Sequence, residues 1–260
     1  MSATATILYC LFAGLVVMSG LWAISLALRD SSIVDIYWGF GFVVLAWTAT
    51  VLVGWEGGVQ ALSLALVSAW GLRLTLHLGR RNIGKGEDPR YVAMRAKAGD
   101  SWPIRSLFQV FWLQGVIMWV VSLPVLATVT AGDDSPTVVL LALGVLAWAK
   151  GLFFEAVGDW QLDRFKADPA NRGKVMDRGL WRYTRHPNYF GDSMVWWGLG
   201  LIACSIGAWW TLIGPALITF MLVRVSGKAL LEKGMAATRP GYAEYVGRTS
   251  GFIPWPPKRG

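Results

Sequence analysis

The segment 182–192 carries more ligand-binding side chains than any other stretch of this chain. Arg185 has the planar guanidinium that grips phosphate bidentately, and Asn188 offers paired amide donors and an acceptor to another amide. Pro187 and Gly191 indicate a bend before a helix whose free backbone N–H groups attract an anion. The pattern therefore predicts a site for a large polyanionic ligand.

Further side chains able to bind such a ligand occur on both sides of this segment. The acids Glu155, Asp159 and Asp163 recur every four residues, a spacing at which like charges repel unless cations or a ligand lie nearby. A structural salt-bridge network and a ligand held through its hydroxyls and amides both satisfy this pattern. The downstream cationic, acidic and aromatic residues are Arg224, Lys228, Glu232 and Tyr242.

The chain lacks the sequence signatures of the standard nucleotide and metal sites. It contains no G-x-G-x-x-G, Walker, H-E-x-x-H, C-x-x-C or G-x-S-x-G pattern. It has only two histidines, and its two cysteines lie far apart, so we expect no metal site. The remaining interpretation is that a polyanion binds at the mouth of a helical bundle.

Long apolar runs must position these residues, since 55% of the 260 residues are hydrophobic and only 15% are charged. Hydrocarbon about 30 Å thick needs roughly 20 apolar residues per helix. The sequence therefore predicts an all-α, polytopic membrane bundle of about seven transmembrane helices, forming a single domain over residues 1–260. The predicted spans are 5–28, 33–54, 59–79, 107–130, 137–158, 190–206 and 208–226.

The basic residues predict the orientation of this bundle. Nearly all of the 24 Lys and Arg residues fall in alternate connections between the predicted spans and in the C-terminal tail. Because such residues accumulate in cytoplasmic loops, we expect the N-terminus outside and the C-terminus in the cytoplasm. The predicted location is the inner membrane of a bacterium.

Three segments of this chain resemble a known family. Residues 185–192, residues 158–162 and the closing stretch 242–254 resemble the C-terminal half of the steroid 5-alpha-reductase-like membrane proteins. The whole chain looks like the little-characterised bacterial branch of that superfamily, including Val34-Asp35-Ile36-Tyr37-Trp38-Gly39 and Trp70-Gly71-Leu72-Arg73.

The resemblance implies an enzyme that uses NADPH as a hydride donor to an enone. Residues 1–130 would bind the substrate and residues 131–260 the cofactor. The residues that match cofactor positions of the family are Asp159, Asn188, Asp192 and Arg224. The residues that stand at its other basic or polar cofactor contacts are Lys166, Lys174, Lys228 and Glu232, and we expect Arg185 and Tyr242 to join them.

The catalytic group is harder to assign. Steroid reductases polarise the substrate carbonyl with a Gln-Glu pair and a tyrosine, and this sequence has no direct counterpart of either. Asp35 and Tyr37 are the nearest acid and phenol, and Arg73 and His77 share one face of the third helix. Hydride delivery builds enolate charge on the carbonyl oxygen, and one donor there is worth about 2.7–4 kcal/mol. A protonated Asp35 or His77 could serve, with Tyr37 or Arg73 assisting.

Two other classes of function remain open. An S-adenosylmethionine-dependent membrane methyltransferase of the isoprenylcysteine type also uses an Arg-His-Pro-x-Tyr-x-Gly segment, matched here by residues 185–191, with a later Arg and Glu. A non-catalytic lipid-binding protein would use the cations to meet anionic headgroups. For the preferred reductase we expect a small apolar, lipid-like substrate and membrane lipids as partners, and neither nucleic acid nor another protein.

Overall fold

A computed structural model describes residues 1–132, 135–225, 232, 234–235 and 239–258, and the regular structure in these ranges is helical. Within them no β-strand forms; the only extended pairing is an isolated bridge between Thr184 and Ser250. The prediction of an all-helical protein is therefore confirmed for the described part of the chain.

Within the described residues, five helical segments are long and apolar enough to cross a membrane, which indicates an integral membrane protein. Four of them are α1, Ala3–Leu28; α2, Ile33–Val53; α3, Gly58–Asn82; and the 30-residue helix Val138–Ala167, labelled α8 below. The other is the helical run Pro89–Val121. The two remaining predicted spans correspond to Pro187–Ser205 and the shorter apolar stretch Trp209–Val225. The count of seven spans and their orientation stay predictions.

The fourth span differs from the predicted run 107–130 at both ends. It begins at Pro89, because Asp88 caps the helix by accepting a hydrogen bond from the Arg90 backbone N–H. It ends at Val121, and a new helix starts at Leu123 with a proline in its first turn. The pieces are α4, Pro89–Ala98; α5, Trp102–Ser106; a π-helical turn, Leu107–Trp112; α6, Leu113–Val121; and α7, Leu123–Thr130.

The chain divides into two compact units, an N-terminal unit of residues 1–137 and 202–211 and a C-terminal unit of residues 138–201 and 212–260. The helices that follow α8 are α9, Pro187–Ser205; α10, Ile213–Phe220; and α11, Tyr242–Arg248, with a π-helical turn at Met221–Val225.

In the N-terminal unit, α2 and α3 cross at backbone distance. A Cβ on Gly71 would lie only 2.5 Å from the carbonyl oxygen of Gly39, so both positions require the absence of a side chain. Beside this crossing, the fully buried Trp70 stacks edge-on against Phe42 with ring centroids 5.5 Å apart. Since lipid tails are as apolar as the helix surface, such close contact is what holds membrane helices together.

In the C-terminal unit, α8 and α9 meet along a seam of glycines, which we call the glycine seam. Its members are Gly144, Gly151 and Gly158 on α8, and Gly191 and Gly198 on α9. A Cβ on Gly191 would lie 2.6 Å from the Gly151 carbonyl oxygen, and one on Gly198 would lie 2.7 Å from that of Gly144. The two helices are therefore antiparallel and in close backbone contact over about four turns of α8, from Gly144 to Gly158.

Candidate functional site

In the N-terminal unit, the structure joins the first turn of α2 to the first turn of α4 through one carboxylate. Asp35 Oδ1 accepts a hydrogen bond from the Tyr91 hydroxyl at 2.7 Å, and its Oδ2 accepts one from Arg90 Nη2, also at 2.7 Å. Tyr91 is only 6% exposed, whereas Arg90 lies at the surface. The result is an acid and a phenol held together at the end of a membrane helix.

Gln114 on α6 completes this group, because its side-chain amide donates to the Tyr91 hydroxyl oxygen at 3.3 Å. The phenol therefore has a carboxylate on its donor side and an amide on its acceptor side. A tyrosine hydroxyl can both donate and accept, and Tyr91 does both here: it donates to Asp35 and accepts from Gln114. Asp35, Tyr91 and Gln114 are called the acid–phenol triad below.

A second set of contacts joins the loop before α2 to the loop before α4 in the N-terminal unit. Glu87 accepts hydrogen bonds from Arg95 Nη2 and from the Ser31 backbone N–H, both at 2.7 Å. Asp88 binds Arg90 Nε at 2.9 Å. Burial opposes ionisation of Asp88, but its hydrogen bonds from Arg90 hold the pKa of that carboxyl below its usual value. These contacts fix the start of α4 and so the position of the triad.

The predicted catalytic residues are placed as follows. Asp35 is the acid of the triad, but within the described residues the structure pairs it with Tyr91 and not with Tyr37, whose ring lies edge-on to Phe40. Arg73 and His77 lie half-buried on α3. Their catalytic roles stay predictions.

Sequence reasoning missed Tyr91, Arg90 and Gln114. The predicted fourth span begins at residue 107, yet Asp88 followed by Pro89 is a common signal for the start of a helix. That signal would have placed Tyr91 in a first helical turn, on a face shared with other half-buried residues. Its contact with an acid 56 positions earlier carries no signal in a single sequence.

In the C-terminal unit, the predicted acids and amide gather where the glycine seam reaches the end of α8. Glu155 and Asp159 are only 3% and 7% exposed. Asn188, in the first turn of α9, donates its side-chain amide to Asp159 Oδ1 at 3.1 Å. Gly158 permits this contact, because a Cβ there would lie 3.2 Å from the Asn188 backbone nitrogen. Asp192, one turn further along α9, is half-buried.

Arg185 joins three separate segments of the C-terminal unit. Its Nε donates to Glu232 Oε1 at 2.9 Å, and its Nη1 donates to the carbonyl oxygens of Thr249, at 2.7 Å, and Val246, at 3.2 Å. His186 Nε2 lies 3.1 Å from the same Glu232 oxygen. Arg185 thus anchors the C-terminal segment in this structure, and its contact with a cofactor stays a prediction.

The environment of Glu232 favours its charged form. Burial alone would raise the pKa of this carboxyl, but the hydrogen bonds from Arg185 and His186 outweigh it and hold the pKa below the ordinary value. Nearby, burial and the charge of Glu232 raise the pKa of Tyr242 to about 12. The predicted contacts Glu232 and Tyr242 therefore belong to one charged group with Arg185.

The C-terminal segment folds back onto residues 181–185. The Tyr245 hydroxyl donates to the Trp181 carbonyl, and the Trp181 indole N–H donates to the Gly158 carbonyl at 3.0 Å. The Arg185 backbone N–H donates to the Ser250 carbonyl at 2.9 Å. This segment therefore supports the turn that leads into the acid and amide of the site.

The predicted cofactor-binding cations lie at the surface of the C-terminal unit. Lys166, Lys174 and Arg224 are exposed, and Arg239 Nη1 donates to the Lys174 carbonyl at 3.0 Å. Lys228 lies outside the described residues. Buried acids with an amide and exposed cations can together bind a phosphorylated nucleoside, since its hydroxyls can donate to the acids and its phosphates can accept from the cations.

An all-helical integral membrane protein with a buried cluster of acids is the class that the fold and the site define. The family of proteins of unknown function called DUF1295 matches residues 21–249, and the chain belongs to this family. No solved structure matches it.

Two curated proteins are similar to parts of the chain. A probable O-methyltransferase, ustE, of Ustilaginoidea virens is 32% identical over 104 residues, which are 40% of this chain and 35% of that protein. An uncharacterized protein of Schizosaccharomyces pombe is 25% identical over 270 positions, covering 90% of this chain and 75% of its own length. The chain thus spans about a third of the first relative and three quarters of the second.

Proposed function

We propose that this protein is a membrane-embedded, NADPH-dependent reductase that transfers hydride to the C=C bond of an apolar enone. The acid–phenol triad is the observation that carries the proposal. The steroid reductases that the sequence resembles polarise the substrate carbonyl with an acid, a glutamine and a tyrosine, and Asp35, Gln114 and Tyr91 are these three residue types in contact. The proposal therefore assigns the phenol to Tyr91 instead of Tyr37.

The triad would stabilise negative charge on the substrate oxygen. When Asp35 carries a proton, its carboxyl can donate to the Tyr91 oxygen and leave the phenol hydrogen for the carbonyl oxygen of the substrate. The enolate oxygen then takes the phenol proton while Tyr91 recovers one from Asp35, so that protons balance. Gln114 holds the phenol in place through its 3.3 Å contact. One such donor is worth about 2.7–4 kcal/mol of transition-state stabilisation.

The C-terminal unit would hold the cofactor, which supplies the hydride when bound. Glu155 and Asp159 can accept hydrogen bonds from ribose hydroxyls, and Asn188 can bind a carboxamide. The exposed Lys166, Lys174 and Arg224 can bind phosphates, and the additional phosphate of NADPH over NADH suits a chain of net charge +8. We place this unit's charged end in the cytoplasm, where NADPH is available, with seven spans in all.

The first experiment measures which nucleotide binds. The protein purified in detergent is titrated with NADPH, NADH and S-adenosylmethionine, and tryptophan fluorescence reports binding. We expect NADPH to bind, and Asn188→Ala to weaken it about tenfold through the loss of one polar contact. The matched variant Asn82→Ala, in the N-terminal unit, should leave binding unchanged. Tight binding of S-adenosylmethionine without NADPH would overturn the proposal, and binding of none would favour a non-catalytic lipid-binding protein.

The second experiment tests the triad. Tyr91→Phe removes only the hydroxyl, so NADPH affinity should persist while NADPH oxidation with a panel of apolar enones falls about 100-fold. Tyr37→Phe is the matched control, because within the described residues the Tyr37 hydroxyl makes no hydrogen bond to Asp35. Equal losses in the two variants would contradict the assignment of Tyr91.

A methyltransferase is the second candidate, and the similarity to a probable O-methyltransferase over 40% of the chain is the observation that favours it. The contact of Arg185 and His186 with Glu232 joins the Arg-His-Pro segment to the later acid that this class also has. Methyl transfer needs no acid beside a phenol, so loss of the Tyr91 hydroxyl would leave S-adenosylmethionine-dependent activity nearly unchanged.

A further inference from the structure

The last described residues carry two large apolar side chains that the protein leaves uncovered. Ile253 and Trp255 are 65% and 69% exposed. Neither residue belongs to a helix, so neither is part of the lipid-facing side of a membrane span. Two exposed apolar side chains within three positions of a short irregular segment form a patch that calls for a partner. Residues 251–258 are called the terminal tail below.

Hydrogen bonds fix the backbone of the terminal tail. Thr184 Oγ1 donates to the Phe252 carbonyl at 2.8 Å, and the Trp255 backbone N–H donates to the Tyr183 carbonyl at 3.0 Å. The Phe252 ring packs edge-on against Phe190 of α9, with ring centroids 6.0 Å apart. One aromatic ring of the tail therefore packs on the protein, while its two exposed side chains extend away from it.

The residues that bind the terminal tail lie next to the end of the predicted fifth membrane span. The Trp181 indole N–H donates to the Gly158 carbonyl at 3.0 Å, and the Leu180 backbone N–H donates to Gln161 Oε1 at 2.9 Å. From Val138 to Gly158, α8 rises about 30 Å, which is the thickness of the hydrocarbon core. Residue 181 is therefore level with the edge of the hydrocarbon. The residue that accepts the hydrogen bond from the tail follows two positions later, at most about 7 Å away.

The surface of α8 at this level has the composition of a membrane interface. Trp160 is exposed, and the Arg164 guanidinium lies 5.1 Å from the centroid of its ring. Tryptophan is enriched at the headgroup level because its ring is apolar while its N–H is polar. The terminal tail repeats this combination of an indole and a cation, with Trp255 and the exposed Lys258.

We propose that the terminal tail is an interfacial anchor, in which Ile253 and Trp255 insert into the headgroup region of the membrane that α8 crosses. The partner is the lipid surface, because an indole beside a cation at the edge of the hydrocarbon suits the boundary between acyl chains and headgroups. Lys258 would bind lipid phosphates. The anchor would also hold at the membrane the segment whose carbonyl oxygens bind Arg185. It shares no residue with the proposed reaction and does not depend on the nucleotide.

The depth of the terminal tail in a bilayer tests the proposal. The full-length variant Ile253→Cys is labelled with the fluorophore nitrobenzoxadiazole and placed in nanodiscs of phosphatidylcholine and phosphatidylglycerol. Nitroxide-labelled phosphatidylcholine quenches probes in the bilayer, and iodide quenches probes in water. We expect the nitroxide lipid to remove most of the fluorescence and iodide to remove little. The native Cys10 and Cys204 are buried, and wild-type protein treated in the same way gives the background.

Glu244→Cys is the matched control, because its exposed position on α11 carries the same probe. Iodide should quench that probe, and the nitroxide lipid should not. Burial of one large apolar side chain favours the inserted tail by about tenfold, so adding Trp255→Ala to Ile253→Cys should raise iodide quenching. Adding Trp209→Ala, which removes an exposed tryptophan of the N-terminal unit, should not. Should Ile253→Cys not fold, Trp255→Cys carries the probe instead.

Three results would overturn the proposal. The first is a tail probe that iodide quenches and the lipid does not, which would mean that the tail lies in water. The second is a tail probe protected from both quenchers, which would mean that protein covers it. The third is equal behaviour of the probes at Ile253 and Glu244, or equal effects of Trp255→Ala and Trp209→Ala.

Discussion

The substitution Gly191→Ala is the strongest test of whether the fold positions the proposed cofactor site. In Gly191→Ala, the new Cβ would lie 2.6 Å from the carbonyl oxygen of Gly151, almost 1 Å inside ordinary van der Waals contact. The atoms it meets belong to the backbone of α8, so no side-chain rotation relieves the clash. The helices must separate by up to about 1 Å, and overpacking of this kind costs about 1–3 kcal/mol.

That separation falls one turn from the contact between Asn188 and Asp159. A hydrogen bond that measures 3.1 Å cannot survive an additional 1 Å of distance. We therefore expect Gly191→Ala to lower the Tm by about 5 °C and to weaken NADPH binding about tenfold. Thermal unfolding and nucleotide titration in detergent measure the two effects.

Gly20→Ala is the matched control for this prediction. Gly20 also lies within a membrane helix, α1, but nothing lies within 4 Å of the position that its Cβ would take. This substitution should leave both the Tm and the nucleotide affinity unchanged or slightly improved, since alanine favours the helix. If Gly191→Ala unfolds and binds like Gly20→Ala, the glycine seam does not position the site.

Two further predictions concern ion pairs outside the membrane helices. Hydrogen bonds from Arg185 hold the pKa of Glu232 below its ordinary value. The stabilisation by Glu232 is therefore fully present at pH values above the ordinary pKa and is lost as the pH falls through the lowered pKa. Glu232→Gln should accordingly flatten the acid limb of a curve of Tm against pH. Glu87→Gln should lower the free energy of unfolding by about 2 kcal/mol, since it removes a largely buried partner of Arg95. The control is Glu244→Gln, which removes an exposed carboxylate and should leave the denaturation midpoint unchanged. Equal shifts of the midpoint in the Glu87 and Glu244 variants would contradict the explanation given for Glu87.

Hydropathy predicts the membrane helices of this chain well, because a membrane helix must satisfy its backbone internally and so leaves a continuous apolar run. The runs that predict α1, α2 and α3 end within about three residues of the observed helices, whereas α8 continues to Ala167, beyond the predicted end at residue 158. The start of the fourth span at Pro89 escapes this reasoning, since residues 89–106 are mixed in polarity. The break near Ser122 escapes it as well, because both halves are equally apolar.

The sequence predicts individual residues of the candidate site where a polar side chain stands at the end of an apolar run, but it does not predict which of them meet. Asp159 and Asn188 stand out as polar residues at the ends of apolar runs, and the structure brings them together. Tyr91 meets Asp35 only because the loop between α3 and α4 folds back, and this turn produces no periodic pattern in the sequence. Arg185 has the residue type expected for a phosphate ligand, yet its role as an anchor depends on carbonyl oxygens of a distant segment.

The glycine seam also limits how the C-terminal unit can move. With backbone against backbone, α8 and α9 have a single longitudinal register, because a slip by one residue along α9 would bring a side chain against the main chain of α8. The positions of Asp159 on α8 and Asn188 on α9 are therefore fixed relative to each other along the helix axes. The contacts of Arg185 differ in kind, because its hydrogen bonds to the carbonyl oxygens of Val246 and Thr249 are individual and can exchange one at a time.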